Sequence, residues 1–291
     1  MQVAGSKTIV RNCRVSGGQV NDFGGGVHTD CAGFLVLDSC SFDHCTAGSC
    51  GGGLCLRGSV SARIINCTIV DCACGSHGGA IDLRSSNVYF VNTTATGGLV
   101  LNNGDKTDSG GFYAGSTIRL LNSVVAYCYY VNGLSDGLLK MQAADGSSGA
   151  NPRTNSYYRD NYTDGTTVLF ADYTTRTSAC YTRDKTTDDK FFLSPVKIPQ
   201  SAKDKAGYVS VPIMKGSALC ATGYPIRISP DYGYIGYSTD GGDTWSTFCG
   251  TATDDAVLLA KDGAGNPFYR GVPPIGSATY VPLAGMKLIF R

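Results

Sequence analysis

The sequence predicts an all-β protein wound as a parallel β-helix, and three observations carry that reading. The phrases GGGV at 24–27, GGGL at 51–54 and GGAI at 78–81 each begin 27 residues after the last. A second phrase keeps the same interval: NCRV at 12–15, SCSF at 39–42 and NCTI at 66–69, loosening to NTTA at 92–95 and NSVV at 122–125. Two residues before each of these phrases stands an apolar side chain: Val10, Leu37, Ile64, Phe90 and Leu120. A repeat of this length without helical periodicity marks a solenoid, because one coil cannot bury its apolar face alone and must stack.

Each element of the coil follows from strand alternation with period two. Val10, Leu37, Ile64, Phe90 and Leu120 point inward. So do Cys13, Cys40, Cys67, Thr93 and Ser123, one past the Asn column, and Val15, Phe42, Ile69, Ala95 and Val125, three past it. A bend at Asn12, Ser39, Asn66, Asn92 and Asn122 restarts the alternation, since Asn tolerates a left-handed backbone and its amide can bond the Asn of the next coil. The glycine-led strand turns Val27, Leu54 and Ile81 inward, with Thr29, Leu56 and Leu83. The expectation is three strands per coil over about five coils, with residues 1–130 as the helix. Residues 131–165, rich in Ser, Gly, Asp and Asn, read as a loop-rich insertion. Short β-rich runs over 166–291 read as a cap rather than an independent domain.

Over its first 130 or so residues the chain resembles the pectate-lyase-like right-handed parallel β-helix proteins, among them large bacterial surface proteins with GGxh and N-x-T-h coils. GSALCATG at 216–223 and KDGAGNPFYRGVPPIGSATY at 261–280 resemble the closing GSPAIDAG and D-x-x-G-N-P-R phrases of such proteins, with Phe268 and Pro274 departing from the pattern. The resemblance implies a secreted or bacterial cell-surface location and a chain that continues upstream. STDGGDTW at 238–245 fits the Asp-box pattern S-x-D-x-G-x-T-W, which implies a hairpin with Asp240 bonding the turn backbone and Trp245 packing beneath it. One copy cannot make a propeller.

Composition narrows the partners. With 24 basic against 23 acidic groups and 16% charged residues, no global field favours nucleic acid or an anionic membrane. No apolar run approaches a membrane-spanning length, and MQVAGSKTIV enters a strand without showing a secretory signal. Thirteen cysteines leave at least one without an internal partner. The stacked columns fit either buried free thiols or cross-coil disulfides, because a strand spacing of about 4.8 Å lies slightly beyond the usual Cβ separation of a disulfide.

The chemistry-bearing candidates lie in two places. His44, Cys45 and Cys50 on one coil and Cys72, Cys74 and His77 on the next could supply a tetrahedral zinc site, or simply a thiol-rich loop. On the outward positions of the glycine-led strand, His28, Cys55 and Asp82 form one column and Asp30, Arg57 and Arg84 its neighbour. In polysaccharide lyases of this fold the equivalent sheet carries calcium-ligating Asp and a proton-abstracting Arg, so the resemblance implies Asp30 and Asp82 as calcium ligands and Arg57 or Arg84 as base. The plain alternative is a ladder of exposed ion pairs, worth at most about 1 kcal/mol each. No other cofactor is expected. GGQVNDFGGG lacks the helix and Lys of a phosphate loop, and the three histidines lack nucleophile companions. Two function classes remain. One is a non-catalytic surface β-helix acting as stalk, adhesin or glycan contact; the other is a calcium-dependent polysaccharide lyase or related enzyme.

Overall fold

The computed structural model describes residues 1–30, 32–84, 87–100, 111–114, 118–126, 129–130, 139–141, 153–154, 157–159, 223–268, 271 and 273. These build a parallel β-solenoid. Its long-strand sheet stacks Lys7–Arg11, Gly33–Asp38, Val60–Ile65, Val88–Val91, Ile118–Leu121 and Arg153–Thr154 in that order. Partners sit one coil apart, as in Val10↔Leu37↔Ile64↔Phe90↔Leu120. That column is the buried stack the repeat predicts: Leu37, Ile64, Phe90 and Leu120 join one core cluster with Phe42, Ile69, Leu54, Leu56, Ile81 and Leu83, and Val10 packs against it.

The coil has four strands, where the repeat suggested three. Beside the long strand, the short strand after the Asn bend (Ser41–Asp43) and the glycine-led strand (Leu54–Leu56) lies a two-residue strand such as Thr46–Ala47. A second left-handed column creates it: Gly17, His44, Asp71 and Gly97 all have positive φ, five residues past the predicted column of Asn12, Ser39, Asn66, Asn92 and Asn122. The sequence hid this bend because its column mixes Gly, His and Asp. The pairing also runs on into the segment read as a loop. Leu139–Met141, Arg153–Thr154 and Tyr157–Arg159 extend three of the sheets in register, since backbone pairing persists after the Gly and Asn cues have gone.

The column one past the bend explains the cysteines. The Cys40 thiol donates to the carbonyls of Asp38 and Val10, that of Cys67 to Ile65 and Leu37, and the Thr93 hydroxyl to Val91 and Ile64. The site needs a small buried donor to bridge two coils, and Cys, Thr and Ser each supply one. Cys45 and Cys72 repeat the device, donating to Asp43 and Val15 and to Val70 and Phe42. All nine described cysteines are free thiols. The Asn column forms a partial ladder, with Asn92 Nδ2 donating to Asn66 Oδ1 at 2.8 Å. Asn66 and Asn92 open the glycosylation-type triplets NCT and NTT, but both are buried, so neither is open to glycosylation.

Near the C-terminus an antiparallel sheet of Ile226–Ile228, Ile235–Tyr237, Ser246–Cys249 and Val257–Leu258 lies along the flank of the solenoid. Its Ile226, Ile228, Tyr232, Ile235 and Cys249 pack on the outward side chains Val36, Ile65, Val91 and Leu121 of the long-strand sheet. Amides of the bend column pin it down. Asn122 exchanges two hydrogen bonds with the backbone of Tyr224 at 2.7 and 2.9 Å, and Asn66 Nδ2 donates to the Lys261 carbonyl at 3.2 Å. Tyr232 donates to Asp38 and accepts from Arg11, and burial with that carboxylate pushes its phenol up to about 12. Of the remainder of 166–291, only Gly223 to Tyr224 with the loops to Phe268, Gly271 and Pro273 are described, and the expected GSALCATG phrase lies outside the described residues apart from Gly223.

The Asp box is a hairpin as expected. Asp240 Oδ1 accepts the Thr244 amide, Ser238 Oγ accepts the Gly242 amide, and Trp245 Nε1 closes on the Gly242 carbonyl. Hydrogen bonds from Ser238 and Thr244 hold the Asp240 carboxyl well below the usual range. The hairpin before it uses the same S-x-D-x-G scheme: Ser229 Oγ donates to Asp231, which accepts the Gly233 amide, while the Tyr234 amide donates to Ser229.

One buried carboxylate sets an acid limit on the fold. Asp43 accepts a bidentate pair from Arg14 (2.8 and 3.0 Å), and further bonds come from Ser16 and His44. Burial alone would raise its carboxyl, but these hydrogen bonds and the Arg14 charge outweigh that and hold it below the ordinary value. A carboxyl depressed by folding contributes its full stability above the unfolded value of about 4 and loses it as pH falls through the folded value. Urea unfolding between pH 5 and 2 is therefore expected to fall less steeply in Asp43→Asn than in the parent. Equal slopes would contradict the assignment.

Candidate functional site

The candidate strip rests on the glycine-led sheet. In it Val27, Leu54, Leu56, Ile81 and Leu83 face the core, and register places His28, Cys55, Asp82 and Tyr113 in one outward column. Outward does not mean exposed here. The loops preceding the strand stack a second column, Phe23↔Cys50↔His77, over the first. The Phe23 and His28 rings lie 5.7 Å apart, and His77 meets Tyr113 edge-on at 4.5 Å.

Asp82 is the centre of the strip and is fully buried, at 0% exposure. Arg57 reaches its Oδ2 with Nη2 at 3.2 Å, Arg84 Nε lies 3.4 Å from the same atom, and the Cys55 thiol donates to it at 3.4 Å. Arg57 lies over the Phe23 ring at 3.6 Å and Arg84 over Tyr113 at 5.6 Å. Burial, with Asp82 beside it, pushes the Cys55 thiol far above its ordinary value, so it stays neutral. Burial likewise lowers His28. The side chain of Arg84 is 42% exposed, and Asp30 is exposed at the rim.

This geometry brings together Arg57, Arg84 and Asp82 and separates the rest of the expected sets. Asp30 stands two coils from the row of Asp82, about 10 Å along the stack at ordinary strand spacing. The zinc candidates disperse as well. Cys45 and Cys72 turn into the core, because they follow the left-handed residues His44 and Asp71. Cys74 joins Ala47 and Val100 in a separate cluster, its thiol pushed up to about 12 by burial. Cys50 lies under Arg84 Nη2 at 3.8 Å, and His44 turns to Asp43. Among the described residues, no three His, Cys, Asp or Glu side chains gather as metal ligands. The aromatic partners Phe23 and Tyr113 escaped sequence reasoning. Their only signal was that Tyr113 and Asp82 stand in one column, visible once the irregular fourth interval is aligned.

Comparison with known proteins returned no matching family model, no matching curated protein and no matching solved structure. Among the described residues no helix is long and apolar enough to cross a membrane.

Proposed function

We propose that this chain is a non-catalytic β-solenoid module of an extracellular or bacterial cell-surface protein, meeting an acidic glycan through the Arg57–Arg84 strip. The observation that carries it is the state of Asp82: a buried carboxylate that binds both arginines. An arginine locked in an ion pair over an aromatic ring does not give up its proton to become a base. Asp82, with Oδ2 shared by two guanidinium groups and a thiol, is spent on holding them in place. What remains outward is the half-exposed Arg84, with the half-buried Arg57 and the Phe23 ring beneath it nearby, a cationic patch backed by the buried Tyr113. That is the chemistry of a sugar-carboxylate contact rather than of elimination.

The test is retention on an immobilised polyuronate together with an assay for near-ultraviolet absorbance of unsaturated product in calcium. Alanine at both arginines would leave Asp82 buried without a cation, its carboxylate met only by the Cys55 thiol, and unsettle the fold. The informative variant is therefore the uncharged Arg57→Gln, Asp82→Asn, Arg84→Gln combination. Retention by the parent, its loss in that variant and no product from either is the expected outcome. Product formation by the parent would overturn the non-catalytic reading, and an unretained parent would overturn glycan contact.

A further inference from the structure

A second cationic site lies on the opposite kind of surface, the outward face of the long-strand sheet where the C-terminal sheet abuts it. Register stacks Arg63, Tyr89 and Arg119 in one column. Both guanidinium groups lie over the Tyr89 ring, at 4.3 and 4.8 Å, and Arg63 also faces the Phe34 ring at 5.1 Å. Arg63 is only 6% exposed. Its Nη1 donates to Ser61 Oγ and the Ala62 carbonyl, whereas its buried Nε has no acceptor.

Elsewhere this protein shows what such a guanidinium edge is for. Arg14 uses Nε and Nη2 together to grip Asp43, and Arg57 directs the same two atoms at Asp82. Arg63, in the long-strand sheet, is a buried arginine with no acid ion-paired to it among the described residues, and Arg119 likewise has none, donating instead to the Asn87 amide oxygen at 3.3 Å. The neighbours able to carry negative charge are Cys249 and Tyr89. Burial raises both above their ordinary values, so at neutral pH neither is an anion. A buried cation with only rings and neutral dipoles around it is costly unless an anion meets it.

We propose that Arg63 and Arg119, with Tyr89 between them, form a site for an oxyanion, the carboxylate or sulfate group of a small ligand or sugar. Because the Nε is itself buried, an anion gains the Nε–Nη2 edge of Arg63 only as one of its half-buried neighbours Phe34, Ser61, Tyr89 or Arg119 swings aside. The rings supply flat apolar walls, and Arg63 supplies the bidentate fork that fixes orientation. This site stands independently of the strip at Arg57 and Arg84.

Thermal unfolding of the full chain tests it, in sodium sulfate, sodium glucuronate and sodium chloride at matched ionic strength. At about ten times its dissociation constant, a bound anion raises the melting temperature over the chloride value by roughly 3 °C. A rise with sulfate identifies a free oxyanion as sufficient, and a rise with glucuronate alone identifies a sugar acid. Arg63→Met is expected to abolish the rise, while its melting temperature in chloride stays at or above the parent's because a buried uncompensated charge has gone. Should Arg63→Met not fold, Arg119→Gln carries the same expectation from a half-buried position. These comparisons are made in the Arg57→Gln, Asp82→Asn, Arg84→Gln background, which removes the strip as a second site for glucuronate and is expected to keep the rise at Arg63. No rise with either anion, or a rise surviving in the folded Arg63 or Arg119 variant, overturns the proposal.

Discussion

Ile64→Asp is expected to cost about 4–5 kcal/mol of folding stability or to abolish folding. Ile64 is fully buried, paired to Leu37 below and Phe90 above, in the middle of the inward column. The substitution removes a large apolar side chain from the stack and puts a carboxylate where the neighbours are Leu, Phe and Ile, with no described cation in the core cluster. Each coil is stabilised mainly by its two neighbours, so damage at the third coil breaks the stack in its interior rather than fraying an end. Urea unfolding monitored by circular dichroism measures it. A loss below about 1 kcal/mol would mean that Ile64 does not face the core.

Gly52→Ala is the second large effect, with an expected loss of about 2–4 kcal/mol. The glycine triplets look like one low-complexity signal, yet their three positions do different things. The first, at Gly24, Gly51 and Gly78, has φ between 64° and 66°, a left-handed turn into the strand. The second packs backbone on backbone: a Cβ on Gly52 would lie 2.3 Å from the Ala73 carbonyl oxygen, 2.4 Å from that of Gly79 and 2.5 Å from the Ala73 amide. None of these atoms belongs to a side chain that could swing away. At the third position the repeat itself places Ala80 in the third coil, so that column accepts a methyl group where its neighbours have room. If Gly52→Ala melts with the parent, coil-to-coil contact at this corner is looser than the backbone distances require.

How far the site was legible differs from residue to residue. Register followed from counting, so Arg57, Arg84 and Asp82 could be put on one face from the sequence. What counting could not supply was depth. Cys55 and Asp82 occupy outward positions and are nevertheless fully buried, because the loops bearing Phe23, Cys50 and His77 fold over them. An exposed ladder of weak pairs thus became a buried carboxylate holding two arginines. The Asp box shows the converse. Its internal hydrogen bonds are local and were readable from eight residues, and the second S-x-D-x-G turn at 229–233 was equally readable once the first was recognised.

The sequence by itself determined the parallel solenoid, its interval of 27 residues, the inward apolar columns and the left-handed Asn bends, because stacking repeats one local decision in every coil and the repetition shows in the residues. It also determined that the thiol column needed only small side chains, as the Thr93 and Ser123 copies indicate. The tertiary structure alone decided the fourth strand, the burial of the candidate strip and the seating of residues 223–268 along the flank through Asn66, Asn122, Asp38 and the apolar row Val36, Ile65, Val91 and Leu121. Those outcomes depend on contacts between segments far apart in the chain, such as the 221 residues between Arg11 and Tyr232. Such pairings leave no period in the chain, and only the folded surface brings their partners within reach.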